Sequence, residues 1–262
     1  MAKKRMKKGP KIFFLIILGA VLSYIVFDTL EYLITKNIPR IAFEEHEEEY
    51  YYNRDFGILN YTSKEDYNKN GVDDQTDILK GAKAYVELNP EYLSDYYAGG
   101  YPPETEGVAT DLIWYALKNA GYTLKSYISL DIRERYETKD YDVEDIDDQI
   151  DFRRIANQIT FFEKYAENID ESLNYDNLIN YAPGDIVSFD YGEHIAIISD
   201  KRDANAIPYI LQQSSGTKEE KDSNFLKETN MVITGHYRFT FDDTLESLTY
   251  RAKHAEKEKE NN

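Results

Sequence analysis

Between Asp66 and Asp77 lies the first stretch of this chain whose residue types and spacing suggest chemistry. The twelve residues run Asp-Tyr-Asn-Lys-Asn-Gly-Val-Asp-Asp-Gln-Thr-Asp. They place oxygen donors at positions 1, 3, 5, 9 and 12 and a glycine at position 6. That is the pattern of a calcium loop, since calcium takes about six to eight hard oxygen ligands and alternating Asp and Asn around a glycine turn supply them. The expected ligands are Asp66, Asn68, Asn70, the Val72 carbonyl, Asp74 and Asp77. Two positions depart from the pattern: Asp77 is one methylene shorter than the usual glutamate, and Asp73 stands where an apolar residue is usual. The same residues also read as an Asn-Gly turn leading into a helix near Gln75. Thiol chemistry is excluded, because the chain has no cysteine.

Helices and strands must position whatever site the chain has. Ile78, Leu79, Ala82, Tyr85 and Val86 share one helical face, closed by Pro90. Residues 97–103, Tyr-Ala-Gly-Gly-Tyr-Pro-Pro, must be loop. A second helix is expected from Val108 through Leu112, Trp114 and Ala116 to Ala120, with Gly121 supplying the left-handed residue past its end. A third runs from about Arg154 to Tyr165, burying Ile155, Ile159, Phe162 and Ala166. The period then changes. Residues 184–190, 194–200, 207–213 and 235–241 are short, β-branched or aromatic, and separated by turn residues. Helices followed by strands favour an α+β fold, with helices packed on a small antiparallel sheet, over a doubly wound parallel one. His194, at a hairpin end, reads by itself as a strand histidine satisfied by solvent or backbone.

Six ordered motifs carry a resemblance: Gly100-Tyr101-Pro102-Pro103, Gly107-Val108-Ala109-Thr110-Asp111, Ile150-Asp151-Phe152-Arg153-Arg154, Pro183-Gly184-Asp185-Ile186-Val187, His194-Ile195-Ala196-Ile197 and Ile233-Thr234-Gly235-His236-Tyr237-Arg238. Together they resemble the domain of unknown function 1287 family over roughly residues 66–240. That family looks like a branch of the papain-like, NlpC-type cell-wall amidases and peptidases. The resemblance implies a cysteine opening a helix, a histidine at the start of a strand, and a third polar residue orienting the histidine. A helix N-terminus and an imidazolium would both lower the thiol's pKa. Here the nucleophile's position is Ala109, and a methyl group cannot attack a carbonyl. The third position, usually histidine, maps onto Gln212, which can hydrogen-bond an imidazole but cannot share its charge. The second departure points to natural loss of catalysis. Thr110 is the neighbouring hydroxyl, but one residue along a helix turns a side chain by about 100°. Asp111, Asp151, Arg154 and His236 would line the old cleft, or serve as salt-bridged scaffold.

The N-terminus speaks to location. Residues 1–11 carry six basic residues and no acidic one, and residues 12–27 are apolar or small. Sixteen residues span roughly 24 Å, slightly short of a hydrocarbon core, so Lys11, Leu30 and Leu33 must help. Positive residues stay cytoplasmic, which sends the acidic bulk outward. The competing reading is a cleaved signal peptide; cutting after Ser23, with Val21 behind it, would leave only about eleven apolar residues before the cut. The expected organisation is a basic tip over 1–11, a transmembrane signal-anchor over 12–34, an acidic stalk over 35–65, a papain-like domain over 66–241 and a charged tail over 242–262. Net charge is −18, and −24 once the six basic residues of the tip are set aside. Nucleic acid is thereby excluded as a partner. Twenty-four tyrosines and twelve phenylalanines argue for a real core rather than a disordered segment.

The functional expectation is a degenerate cell-envelope hydrolase. It would bind peptidoglycan or another wall polymer without cutting it, with calcium as a cofactor of the loop and the membrane as a partner. The alternatives are an active amide hydrolase with an unrecognised nucleophile and a membrane-held scaffold.

Overall fold

The computed structural model describes residue 23, residues 50–214, residues 224–225 and residues 231–260. The basic tip, the anchor over 12–34 apart from Ser23, and the stalk up to residue 49 lie outside the described residues. No helix among the described residues is long and apolar enough to cross a membrane. The fold below belongs to the compact unit over residues 49–262.

After a two-residue strand β1 (Tyr51–Tyr52), α1 (Asp74–Leu88) starts where Asp73 accepts the Thr76 N–H. It ends at Asn89, held in the left-handed region at φ 51°. Asn and Asp tolerate that conformation because their short polar side chains bond locally. β2 (Glu91–Tyr92) and β3 (Glu106–Gly107) pair in parallel, setting Tyr92 opposite Gly107. α2 (Ala109–Asn119) follows directly, then α3 (Leu124–Arg135) and α4 (Ile155–Tyr165). Strands β4 (Glu167–Asn168), β5 (Ile186–Phe189), β6 (His194–Arg202), β7 (Pro208–Leu211), β8 (Asn224–Phe225) and β9 (Ile233–Arg238) complete the sheet, and α5 (Asp243–Glu260) closes the chain.

The main sheet has the order β4-β9-β5-β6-β7-β8, with β1 pairing the far end of β6, and every pairing in it is antiparallel. The α+β class with an antiparallel sheet is thus observed. Alternation along the strands sorts the sheet into two buried faces. Ile186, Ile195, Ile197, Leu211 and Tyr237 join the helical core with Leu112, Ile113, Phe161 and Phe162. Val187, Phe189, Ala196, Ile198 and Ile210 face the other way, into a smaller core with Leu178, Tyr181 and Ile207.

Two sequence expectations need correction, and one helix was not anticipated. The stalk does not reach residue 65: β1 pairs with β6, and Asn53 is buried against Arg202. Arg202 is itself buried, donating also to the carbonyls of Leu178, Ala206 and Tyr181. Burial without a bonded carboxylate lowers its pKa to about 10. Nor is residue 242 the start of a frayed tail. Leu245, Leu248 and Ala252 put one stripe of α5 into the helical core, at the apolar spacing of a packed helix. Finally, α3 went unread. Its inward face carries Asp131, buried and bonded by Tyr141, Tyr165 and Lys164, and a charge on that stripe breaks the apolar period.

Candidate functional site

Ala109 opens α2, where the resemblance expects a nucleophile, and it is buried in the helical core. Two residues on, Asp111 accepts four hydrogen bonds. The Val108 N–H and the Trp114 Nε1–H donate at 2.8 Å each, and Arg153 donates from Nε at 2.7 Å and Nη2 at 2.8 Å. A carboxylate in the first turn satisfies a free helix N–H and complements the helix dipole, which is why it sits here. Arg153 also donates to the Asp95 carbonyl at 2.8 Å and lies 4.8 Å from the centre of the Tyr97 ring. Both members of the pair are buried. Asp111 is therefore salt-bridged scaffold, and its partner is Arg153, which was not among the candidate site residues. Arg154 instead sits half-exposed near Asp151, 3.5 Å away. Asp151 holds the local turn, accepting the Asp147 N–H at 2.7 Å, and burial raises its pKa. Thr110 Oγ1 is buried without a hydrogen-bond partner among the described residues.

His194 and Gln212 are brought together, with Nε2 of the histidine 2.8 Å from Oε1 of the glutamine. With the amide oxygen accepting, the imidazole proton sits on Nε2. Burial lowers the His194 pKa, the glutamine opposing it. His194 is registered opposite Phe189 and its ring lies 5.9 Å from that ring. Among the described residues no hydrogen bond links His194 or Gln212 to Ala109, Thr110 or Asp111.

His236 is far from solvent in a second carboxylate hub. Asp185 accepts from His236 Nε2 at 2.9 Å, from Arg238 Nε and Nη2 at 2.9 and 2.7 Å, from Gln75 Nε2 at 2.9 Å and from the Ala182 N–H at 2.9 Å. Tyr181 stacks on the imidazole at 4.2 Å. This hub ties α1, β5 and β9 together. Sequence reasoning passed over Asp185 and Arg153 as participants although both lie in the quoted motifs.

In the Asp66 loop, Asp66 accepts the N–H groups of Asn70 and Gly71 at 3.0 and 2.8 Å, while Asn68 and Asn70 donate to Asp77 at 2.9 and 2.7 Å. Four of the six expected ligands thus share one turn. Asp74 does not: it is buried, bonded by the Tyr67 N–H at 2.8 Å and the Tyr122 hydroxyl at 2.5 Å. Among the described residues no group of three or more His, Asp or Glu is arranged to hold a metal ion.

A family model described as Domain of unknown function (DUF1287) matches residues 79–239. The chain is also similar to the "Uncharacterized protein YijF" of Escherichia coli (strain K12), 28% identical over 156 residues, covering 58% of this chain and 73% of that protein. No solved structure matches. The matched segment takes in β3 and α2, both arginine–aspartate clusters and the His194–Gln212 pair, and on that match the chain belongs to the DUF1287 family.

Proposed function

We propose that this chain is a membrane-anchored extracytoplasmic protein that binds peptidoglycan, or another wall polymer, through a papain-like cleft that no longer hydrolyses it. One observation carries the reading: alanine opens α2 where the resemblance expects the nucleophile, and the histidine that would serve it, His194, is bonded to Gln212. A histidine base has nothing to activate where the nucleophile's position carries only a methyl group. The basic tip and the apolar stretch over 12–27 support the anchor, and the acidic bulk supports its outward orientation. Calcium at the Asp66 loop belongs to the same proposal. Asp66, Asn68, Asn70, Asp77 and the Val72 carbonyl are the donors it would use, and Asp74 would have to leave Tyr122 to join them.

The test is incubation of the full-length protein with purified cell wall, followed by sedimentation and by mass spectrometry of the supernatant. Co-sedimentation without released peptide or sugar fragments is expected. Ala109→Cys alone should restore little or no activity, and combined with Gln212→His it should do better than either change alone. Turnover by the wild type that disappears in His194→Ala would overturn the non-catalytic reading.

A further inference from the structure

Asn70 is the one asparagine of the chain that a glycine follows. Asn70 and Gly71 are both exposed, and a Cβ built on Gly71, at φ 87°, would meet nothing within 4 Å. With no side chain to crowd it, a glycine nitrogen is the backbone nitrogen best able to reach the side-chain amide carbon of the residue before it.

The reaction open to this pair needs no partner but water. The Gly71 nitrogen bonds to Cγ of Asn70, the Cγ–Nδ2 bond breaks, and ammonia leaves with the proton from Gly71. Water then opens the cyclic imide at one of its carbonyls, giving aspartate or isoaspartate; in the second, the backbone runs through Cγ.

In the folded loop both reacting groups are held. The Gly71 N–H donates to Asp66 Oδ2 at 2.8 Å, Asn70 Nδ2 donates to Asp77 Oδ2 at 2.7 Å, and Asn70 Oδ1 accepts the Val72 N–H at 2.8 Å. The amide is thus fixed through both of its polar atoms, and the attacking nitrogen keeps its proton on a carboxylate. Ring closure needs the amide to turn and that proton to leave, so opening of the loop precedes it. The product cannot restore the latch. A carboxylate at position 70 has no hydrogen to give Asp77, and Asp77 is 2% exposed, so repulsion between the two charges is little screened.

We propose that Asn70 is a modification site: it converts to aspartate or isoaspartate at a rate set by how often the loop opens, and the new carboxylate unlatches the loop from Asp77. The conversion is distinct from calcium binding and is measured with chelator present, so either reading can fail without the other.

The experiment incubates the full-length protein in detergent with chelator at neutral pH. Peptide mapping by mass spectrometry follows Asn70, and an isoaspartyl methyltransferase assay counts the isoaspartate. A synthetic peptide with the sequence of residues 64–80 gives the unconstrained rate. Conversion in the folded protein is expected at Asn70 ahead of every other asparagine, and at least about tenfold slower than in the peptide, because several hydrogen bonds must break at each opening. Wild type unfolded in urea should match the peptide, which places the brake in the fold without any variant. Asp66→Ala should convert at least about threefold faster than wild type, and Asn70→Asp should lower Tm by roughly 2–4 °C. No conversion at Asn70, equal rates in folded protein and peptide, or an Asp66→Ala variant no faster than wild type overturns the proposal. An undiminished Tm for Asn70→Asp overturns the unlatching.

Discussion

Replacing Arg153 with methionine tests whether the ion pair under α2 holds the candidate site together. The substitution keeps most of the apolar stem and removes the guanidinium. It deletes the two hydrogen bonds to Asp111, at 2.7 and 2.8 Å, and the one to the Asp95 carbonyl. Asp111 would be left fully buried, with only the Val108 N–H and the Trp114 indole to meet its charge. Removing one partner of a buried pair costs about 3–5 kcal/mol, because the other charge is left uncompensated. For a domain of this size that corresponds to a fall in Tm of roughly 6–20 °C. Arg154→Met is the control, since Arg154 is half-exposed and 3.5 Å from its carboxylate, a pair worth about 0–1 kcal/mol. Urea unfolding followed by tyrosine and tryptophan fluorescence measures both. A loss below about 1 kcal/mol for Arg153→Met, or equal losses for the two variants, would refute the assignment of Arg153 as the partner of Asp111.

Protease added to intact protoplasts should remove the bulk of the chain and leave a small N-terminal fragment in the membrane; full protection would reverse the orientation, and release of an intact domain into the medium would favour a cleaved signal. Calcium should raise the melting temperature, a roughly hundredfold excess over Kd adding about 2.7 kcal/mol. Asp66→Ala and Asp77→Ala should abolish that shift, whereas a Tm indifferent to both calcium and chelator would sink the site. Because the His194 pKa is lowered in the folded state, the unfolded chain takes up a proton first as pH falls. The stability held by neutral His194 is therefore complete above about pH 6.5 and declines below it. His194→Phe should flatten that part of the urea-denaturation profile, and an unchanged slope would count against a buried neutral imidazole.

The sequence alone determined those elements in which one local signal sufficed. The apolar face from Ile78 to Val86 and the proline after it bound α1, and α2 was marked out by Leu112 and Trp114 on its face and by Gly121, at φ 91°, past its end. Short β-branched runs located β5, β6, β7 and β9 because alternation along a half-extended chain is local. Ala109 at the head of α2 was equally legible. What only the tertiary structure decided was partnership. Arg153 and Arg154 are neighbours in one motif, and the choice between them depends on a backbone turn that sends one guanidinium to Asp111, 42 residues away, and the other outward. Residues 50–60 read as a stalk because β1 is two residues long and is stabilised by pairing with β6, some 150 residues away. Asp131 hid α3, since a buried carboxylate is tolerable only once Tyr141, Tyr165 and Lys164 converge on it. The hydrogen bond between His194 and Gln212 rests on the pairing of β6 with β7, and register belongs to the folded sheet rather than to either strand alone.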